Sequence, residues 1–168
     1  MHETRFGQPA RRRLRTLGLI ALPLGVGIFS SLLTSDAMVH FGRLNQPPLS
    51  PPAWLFPVAW TILYVLMGAA SDRLVRHVPA SESERAMRKA ALVLYGLQLV
   101  VNFAWSLVFF GLGAYWAAFA MLVVMWLLIA VLTVLAFRLD RVAGCMLVPY
   151  LVWTTFAGYL NVAIALMN

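Results

Sequence analysis

Aromatic and amide side chains recur at helical spacing in three apolar segments of this chain. Residues three or four apart lie on one face of a helix, so each set forms a stripe. Indole and phenol rings bind flat apolar molecules by stacking, and amide or hydroxyl groups orient such molecules through hydrogen bonds. The predicted ligand contacts are Trp60, Tyr64, Gln98, Asn102, Trp105, Tyr150, Trp153 and Ala157.

The amides indicate which way these stripes face. An amide in hydrocarbon costs free energy unless it finds a hydrogen-bonding partner, so Gln98, Asn102 and Asn161 should point into a bundle of helices. That orientation would bring Trp60 and Trp153 to one shared interior. Two alternatives stay open, because the amides could serve only to join helices and the indole rings could pack without any ligand.

Other kinds of chemistry have little support in the sequence. No Ser/His/Asp set or pair of carboxylates falls within the apolar segments, which argues against hydrolytic catalysis. The only cysteine, Cys145, excludes an internal disulfide, and His2, His40 and His77 are too scattered to indicate a metal site. Every charged residue falls at a predicted helix end or in a loop, so no ionisable group lies within the predicted membrane spans, which argues against an ion-coupled pump.

The composition is that of a membrane protein. Of the 168 residues, 62% are hydrophobic and only 11% are charged, whereas soluble domains carry about 25% charge. A membrane-spanning helix needs about 20 apolar residues, and the long apolar stretch before Phe137 can double back near Gly111 and Gly113. We therefore predict an all-α integral membrane protein, a five-transmembrane-helix bundle with helices at about 17–34, 55–72, 90–111, 114–137 and 142–166.

The basic residues predict the orientation of this bundle. Twelve of the 13 Lys and Arg residues fall in an N-terminal arm, 1–16, or in the connections after the second and fourth helices, which leaves only Arg43 on the other side. This bias predicts a cytoplasmic N-terminus and accounts for the net charge of +7 without a nucleic-acid partner. The first helix also resembles a secretory signal, but we expect it to be retained, because four helices would enclose too little space for a ligand.

Two of the segments between the predicted helices contain sequence patterns that predict local structure. The external loop, about 35–54, is rich in proline, and its end at Pro51, Pro52 and Trp54 is a candidate lid over the interior. Ser81, followed three residues later by Glu84, fits a capping box, so the third helix should begin before residue 90.

Four motifs along the chain form a recognisable set. They are Leu44-Asn45-Gln46-Pro47, Pro51-Pro52-x-Trp54-x-Phe56-Pro57-x-x-Trp60, Gln98-Leu99-x-x-Asn102-x-x-Trp105 and Val148-Pro149-Tyr150-Leu151-x-Trp153, followed by Ala157 and Leu160-Asn161. Together they closely resemble the TspO/MBR family, which includes bacterial tryptophan-rich sensory proteins and the mitochondrial translocator protein, or peripheral-type benzodiazepine receptor. The resemblance covers about residues 20–165.

The resemblance implies a homodimeric five-helix receptor or sensor in the membrane lipid. It further implies binding of tetrapyrroles such as protoporphyrin IX and haem, as ligands and not as required cofactors, with a role in their transport or regulation. An alternative implied function is light-dependent degradation of porphyrin, in which Trp60 and Trp153 would take part. Asn102 and Ala157 match positions that shape the family's cavity. A bacterial inner membrane is expected, although some relatives occupy outer membranes.

The sequence departs from the family pattern at three places. Leu49 replaces a frequent aromatic residue of the loop, and Gln46 replaces a common lysine, which removes groups that could contact a porphyrin. No basic residue follows Tyr159, so the sterol motif of the animal proteins is not expected to operate.

Overall fold

The computed structural model describes the backbone of residues 7–35 and 44–168, and the side chains of these residues from Arg12 onward. Most of the predicted lid loop before Leu44, and the first part of the predicted arm, therefore lie outside the described residues. The described chain forms five long helices without a strand: α1 (Gly7–Leu33), α2 (Leu55–Arg76), α3 (Glu82–Ser106), α4 (Tyr115–Leu139) and α5 (Arg141–Met167). All five are long and apolar enough to cross a membrane, which confirms the predicted helical membrane protein.

Three helices extend further than predicted at the arginine-rich end of the bundle. α1 begins at Gly7 and not near 17, so the described part of the expected arm is helical. Arginine and alanine have high helix propensity, which allows the helix to continue beyond the apolar segment. α2 continues to Arg76. α3 begins at Glu82 with the predicted cap, in which the Ser81 Oγ accepts a hydrogen bond from the Glu84 backbone N–H at 3.1 Å.

A π-helical turn, Leu107–Gly111, continues α3 and carries it to the predicted reversal. The Leu112 N–H donates to the Leu107 carbonyl at 3.0 Å, a spacing of five residues that widens the last turn. The chain then reverses at Gly113, whose φ of 61° is a conformation that glycine adopts without strain. The wide turn directs two phenylalanines, Phe109 and Phe110, toward Trp105, with ring centroids at 5.4 and 6.0 Å from the indole.

α1 and α2 approach closely at Gly68. A Cβ atom at this position would lie 2.5 Å from the Ile20 Cα and 2.8 Å from the Leu19 carbonyl oxygen, so only glycine permits the observed contact. The same Leu19 carbonyl lacks its usual helical donor, because Pro23, four residues later, has no N–H.

A buried ion cluster joins these two helices at the arginine-rich end. Asp72 is only 1% exposed, and its carboxylate pairs with Arg76 of the same helix and with the Arg15 Nε of α1 at 3.8 Å. Asp72 lies at the predicted end of the second helix, where charged residues are expected, and it is nevertheless buried. The reason is the extra turn of α2, together with the helical extension of α1, which brings cations to a carboxylate that would otherwise be costly to bury.

A second ion pair fastens α2 to the junction of α4 and α5. The Arg73 Nε donates to both carboxylate oxygens of Asp140 at 3.0 Å, and its Nη2 lies 2.8 Å from Oδ2. Asp140 is also the N-cap of α5, where it accepts a hydrogen bond from the Ala143 N–H at 3.0 Å. The hydrogen bond from Arg73 is the main reason that the pKa of the Asp140 carboxyl lies below its ordinary value.

We expect this ion pair to make stability depend on pH. Asparagine caps a helix about as well as aspartate, so Asp140→Asn removes the charge and keeps the cap. Because the folded-state pKa is lowered, the charged form stabilises the fold above the ordinary value of 3.8, and this contribution is lost as the pH falls through the folded-state pKa. At pH 7 the variant should be less stable by about 1 kcal/mol or less, since the pair is partly exposed. Thermal unfolding in detergent should show that difference vanish in acid; a constant difference from neutral to acidic pH would contradict the assignment.

Candidate functional site: a cavity between α1, α2 and α3

A cavity of about 400 Å³ lies between α1, α2 and α3. Its wall on α2 includes Phe56, Trp60, Thr61 and Tyr64. Its wall on α3 and the π-helical turn includes Asn102, Trp105, Ser106 and Phe110. Four of the predicted ligand contacts, Trp60, Tyr64, Asn102 and Trp105, are therefore brought together around one cavity, and their role in binding stays a prediction.

The ring of Trp60 is held within an aromatic cluster. Its centroid lies 5.4 Å from the ring of Tyr64, at an interplanar angle of 31°, and 6.2 Å from the ring of Tyr150, edge to face. Such geometries are favourable for aromatic pairs. Trp60 therefore presents a fixed flat surface to the cavity.

Two predicted contacts, Gln98 and Tyr150, do not line the cavity. Both are completely buried behind its wall, where the Tyr150 OH donates to the Gln98 Oε1 at 2.8 Å. The Asn102 Nδ2 in turn donates to the Tyr150 oxygen at 2.9 Å, and the Tyr64 OH lies 3.5 Å from the Asn102 Oδ1. The structure thus corrects their role: Gln98 and Tyr150 position the polar groups of Asn102 and Tyr64 at the cavity wall.

We expect removal of the Tyr150 hydroxyl, which is the centre of this series of hydrogen bonds, to destabilise the fold. Tyr150→Phe leaves the Asn102 Nδ2 and the Gln98 Oε1 without the partner that joins them, and a buried polar group left unpaired costs about 1–3 kcal/mol. Tyr159→Phe is the matched control, because its hydroxyl bonds to the Pro48 carbonyl at the surface. Thermal unfolding in detergent should show a clearly larger loss of stability for Tyr150→Phe than for Tyr159→Phe. Equal losses of stability would contradict a structural role for these buried hydrogen bonds.

The remaining predicted contacts, Trp153 and Ala157, line a second and much smaller cavity of about 30 Å³. Trp60, Trp105 and Phe56 form walls of both cavities. The indole rings of α2, α3 and α5 therefore converge, as predicted, but the space beside Trp153 holds little more than a water molecule.

The indole of Trp105 is fixed by hydrogen bonds. Its Nε1 donates to the Asn161 Oδ1 at 3.2 Å, and the Asn161 Nδ2 donates to the Tyr115 carbonyl at 2.8 Å. Asn161 is 1% exposed, so this amide faces the bundle interior as predicted. This amide joins three helices and fixes an indole that lines the cavity.

The lid residues predicted from the proline-rich motif lie beside the cavity and do not line it. Trp54 is 65% exposed at the start of α2, and Pro51 and Pro52 are likewise outside the lining. Among the described residues of the loop, Ala53 is the one that lines the cavity.

The described part of the loop is fastened to α5. The Asn45 N–H donates to the Asn168 Oδ1 at 2.9 Å, and the Tyr159 OH donates to the Pro48 carbonyl at 2.7 Å. Directly after the second anchor, Leu49 takes a φ of 67°, a conformation that is unusual for a branched side chain. The end of the loop is thus held over the bundle by α5.

Comparison with known proteins identifies this arrangement of helices. The model of the TspO/MBR family matches residues 19–167, which includes all of α2 to α5 and most of α1. The chain belongs to the TspO/MBR family. Family membership and the five apolar helices together make it an integral, multi-pass membrane protein.

Several TspO/MBR relatives are similar over most of their length. The chain is 38% identical to the tryptophan-rich protein TspO of Chlorobaculum tepidum over 160 residues, 94% of this chain and 98% of that protein. It is 40% identical to the tryptophan-rich sensory protein of Cereibacter sphaeroides, over 72% of each chain. It is 32% identical to the translocator protein of Bos taurus, over 86% of this chain and 85% of that protein.

The TspO/MBR motifs did not reveal the wall that α1 contributes. Ser30, Ser31 and Thr34 line the cavity opposite the aromatic residues of α2 and α3. Ser30 is 5% exposed, and its hydroxyl has no hydrogen-bonding partner among the described residues. A signal was present, because these three hydroxyl residues lie within about one turn of each other, directly after the apolar segment 17–29.

Metal chemistry has no support at this site. Within the described ranges, no group of three or more His, Cys, Asp or Glu side chains could hold a metal ion. The residues of the described chain that line the cavity are aromatic, aliphatic, hydroxyl-bearing or amide, and none is charged. The arrangement can stack a flat molecule and donate or accept hydrogen bonds at its edge.

Proposed function

We propose that this TspO/MBR protein is a membrane receptor for tetrapyrroles, or for similar flat apolar ligands, in the cavity between α1, α2 and α3. The observation that carries the proposal is a cavity of about 400 Å³ with the rings of Trp60, Tyr64 and Trp105 on its wall. Small-molecule sites usually measure about 300–1,000 Å³ and are lined by apolar and aromatic groups with a few polar ones.

The wall chemistry supports binding of an uncharged ring system. A macrocycle would stack on Trp60 and Trp105, while Asn102 and Ser30 would hydrogen-bond to polar atoms at its edge. Because no cation lines the cavity in the described chain, carboxylate groups of a porphyrin would remain at the opening and not in the interior.

A larger hollow, of about 520 Å³, competes for this role. It is a groove on the outer face of α4 and α5, lined by residues such as Phe119, Trp126 and Tyr159. Only two helices border it, so a ligand there would be covered on one side and exposed to lipid on the other. The cavity between three helices is the better site, because burial on several sides is what gives small ligands their affinity.

Regulation or transport of the ligand would follow from reversible binding. The names of the relatives, sensory protein and translocator protein, fit either role. A homodimer and a bacterial inner membrane stay predictions.

Titration with protoporphyrin IX tests the proposed function. Saturable quenching of tryptophan fluorescence is expected for the detergent-solubilised protein. Ser106→Phe fills the cavity and should weaken binding by about tenfold or more, whereas Thr155→Phe, in the outer groove, should leave it unchanged. Quenching that does not saturate, or that only Thr155→Phe weakens, would overturn the proposed site.

Light-dependent degradation of porphyrin has weaker geometric support. It requires the indoles of both Trp60 and Trp153 at the macrocycle, but Trp153 lines only the cavity of about 30 Å³. We therefore expect illuminated protein to bleach protoporphyrin IX no faster than free tryptophan does. Faster bleaching that is lost in Trp153→Phe would favour the degradation reaction instead.

A further inference from the structure

We propose that the ligand reaches the cavity sideways from the bilayer, between α1 and α3, when the second half of α1 bends outward at Pro23. This inference rests on the proposed function, because it concerns the route by which a lipid-dissolved, flat apolar ligand would reach that cavity. In this proposal the seam between α1 and α3 is the entry portal, and Pro23 is the hinge that opens it.

The first half of α1 is fixed to α2. Arg15 pairs with the buried carboxylate of Asp72 at the arginine-rich end of the bundle. One turn further on, Ile20 lies directly against Gly68, where even a Cβ atom would collide with its backbone. An ion pair and a backbone contact of this kind hold the helix up to residue 20 in place.

Pro23 is a point at which α1 can bend. The missing N–H leaves the Leu19 carbonyl without a helical hydrogen bond, and this carbonyl faces Gly68 instead. Sharp bends in helices occur mostly at proline, because the ladder of hydrogen bonds is already interrupted there. The bend would therefore separate the anchored half of α1 from the half that follows.

The second half of α1 would be the movable wall of the cavity. It also approaches α2 closely, at Gly27, but the group that it meets there is the side chain of Tyr64 and not backbone. Seven residues between Leu24 and Thr34 line the cavity. Among the described residues, the hydroxyl of Thr34 bonds only to the Ser30 carbonyl, four residues earlier, at 2.9 Å. The Ser30 hydroxyl is buried and has no partner in the described part of the chain. Polar contacts thus tie these groups to their own helix and not to α2 or α3.

A ring stack closes the seam between α1 and α3. Phe29 and Phe103 lie nearly parallel, at 9°, with their ring centroids 5.8 Å apart. Their neighbours Ser30 and Asn102 both line the cavity, so the stack lies at the level of the site. Phe29 is 56% exposed on the outside of the bundle, where it would face acyl chains. Parting two apolar rings within lipid exposes no polar group, which makes this seam suitable as a gate.

The alternative route, under the external loop, is less favourable. Asn45 and Pro48 of the loop are hydrogen-bonded to Asn168 and Tyr159 of α5. Opening there would break polar contacts, whereas opening at Phe29 and Phe103 separates apolar surfaces that the surrounding lipid also solvates.

Crosslinking of the seam tests the portal. In a Cys145→Ser background, Phe29→Cys and Phe103→Cys would be joined by a short bis-maleimide, to which each thiol adds. Protoporphyrin IX binding would then be followed by stopped-flow fluorescence in proteoliposomes. We expect association and dissociation both to slow by about tenfold or more, with the equilibrium affinity nearly unchanged. The matched control joins Trp126→Cys to Thr155→Cys across α4 and α5, where the native side chains are hydrogen-bonded at 2.8 Å, and should not alter either rate. Unchanged rates in the crosslinked seam would overturn the portal.

A second measurement follows the opening of the seam between α1 and α3 without any tetrapyrrole. Ser30→Cys, in the same background, places a thiol at a position only 5% exposed, and an apolar maleimide dissolved in the bilayer reports how often it becomes accessible. Pro23→Ala restores the missing donor and should slow this labelling by about threefold or more. Slowed labelling in a protein that does not bind protoporphyrin IX would support the gate and refute only the proposed ligand. Labelling that neither Pro23→Ala nor the crosslink slows would overturn the gate, whatever the protein binds.

Discussion

Trp60→Ala is expected to weaken protoporphyrin IX binding by about 30-fold or more, whereas Trp153→Ala should change the affinity by less than about threefold. Both indoles belong to the converging aromatic cluster, but only Trp60 borders the large cavity. Its ring is held against Tyr64 and Tyr150, so truncation removes a preorganised stacking surface as well as contact area.

Fluorescence of the porphyrin itself is the readout of choice for this comparison, because it does not depend on the number of tryptophans left. Trp116→Ala is the matched control, since Trp116 is 56% exposed and lines neither cavity. Equal losses for Trp60→Ala and Trp153→Ala would show that the ligand spans both cavities, and no loss for Trp60→Ala would place it elsewhere.

Gly68→Val should destabilise the fold by about 3 kcal/mol or more. The added side chain would be forced into the backbone of Ile20 and the carbonyl of Leu19, which are parts of a helix that cannot yield as a flexible side chain can. The substitution would push α1 away from α2 and open the wall of the cavity.

Gly96→Ala is the control for this effect. It also lies within a helix, but a Cβ atom there meets nothing within 4 Å, so alanine should be neutral or stabilising by up to about 1 kcal/mol. Thermal unfolding in the same detergent compares the two variants. Similar stabilities would mean that the close contact of α1 with α2 is unimportant.

The sequence was sufficient to predict the helices and several of their ends. Five charge-poor segments, the reversal near Gly113 and the cap formed by Ser81 and Glu84 each depend on local composition or short spacing. The stripes of polar residues likewise predicted which faces of α3 and α5 point inward, as the burial of Asn102 and Asn161 shows. Such features are determined within one helix, so a single sequence can reveal them.

Depth within the bundle could not be predicted in the same way. Tyr150 and Gln98 share their stripes with residues that line the cavity, yet they are buried behind its wall, where the Tyr150 hydroxyl of α5 reaches the Gln98 amide of α3. The burial of Asp72 depends on Arg15, which is distant in the chain. The contribution of α1 through Ser30 required knowledge of which helices are neighbours. Each of these is a property of contacts between helices, and no local pattern records it.

The structure of the protein with protoporphyrin IX bound would test the central claim most directly. The account predicts that the macrocycle lies between α1, α2 and α3, with one face against Trp60 and its edge near Asn102 and Ser30. A macrocycle bound instead in the groove on α4 and α5, beside Trp126 and Tyr159, with the cavity between the three helices still empty, would contradict it.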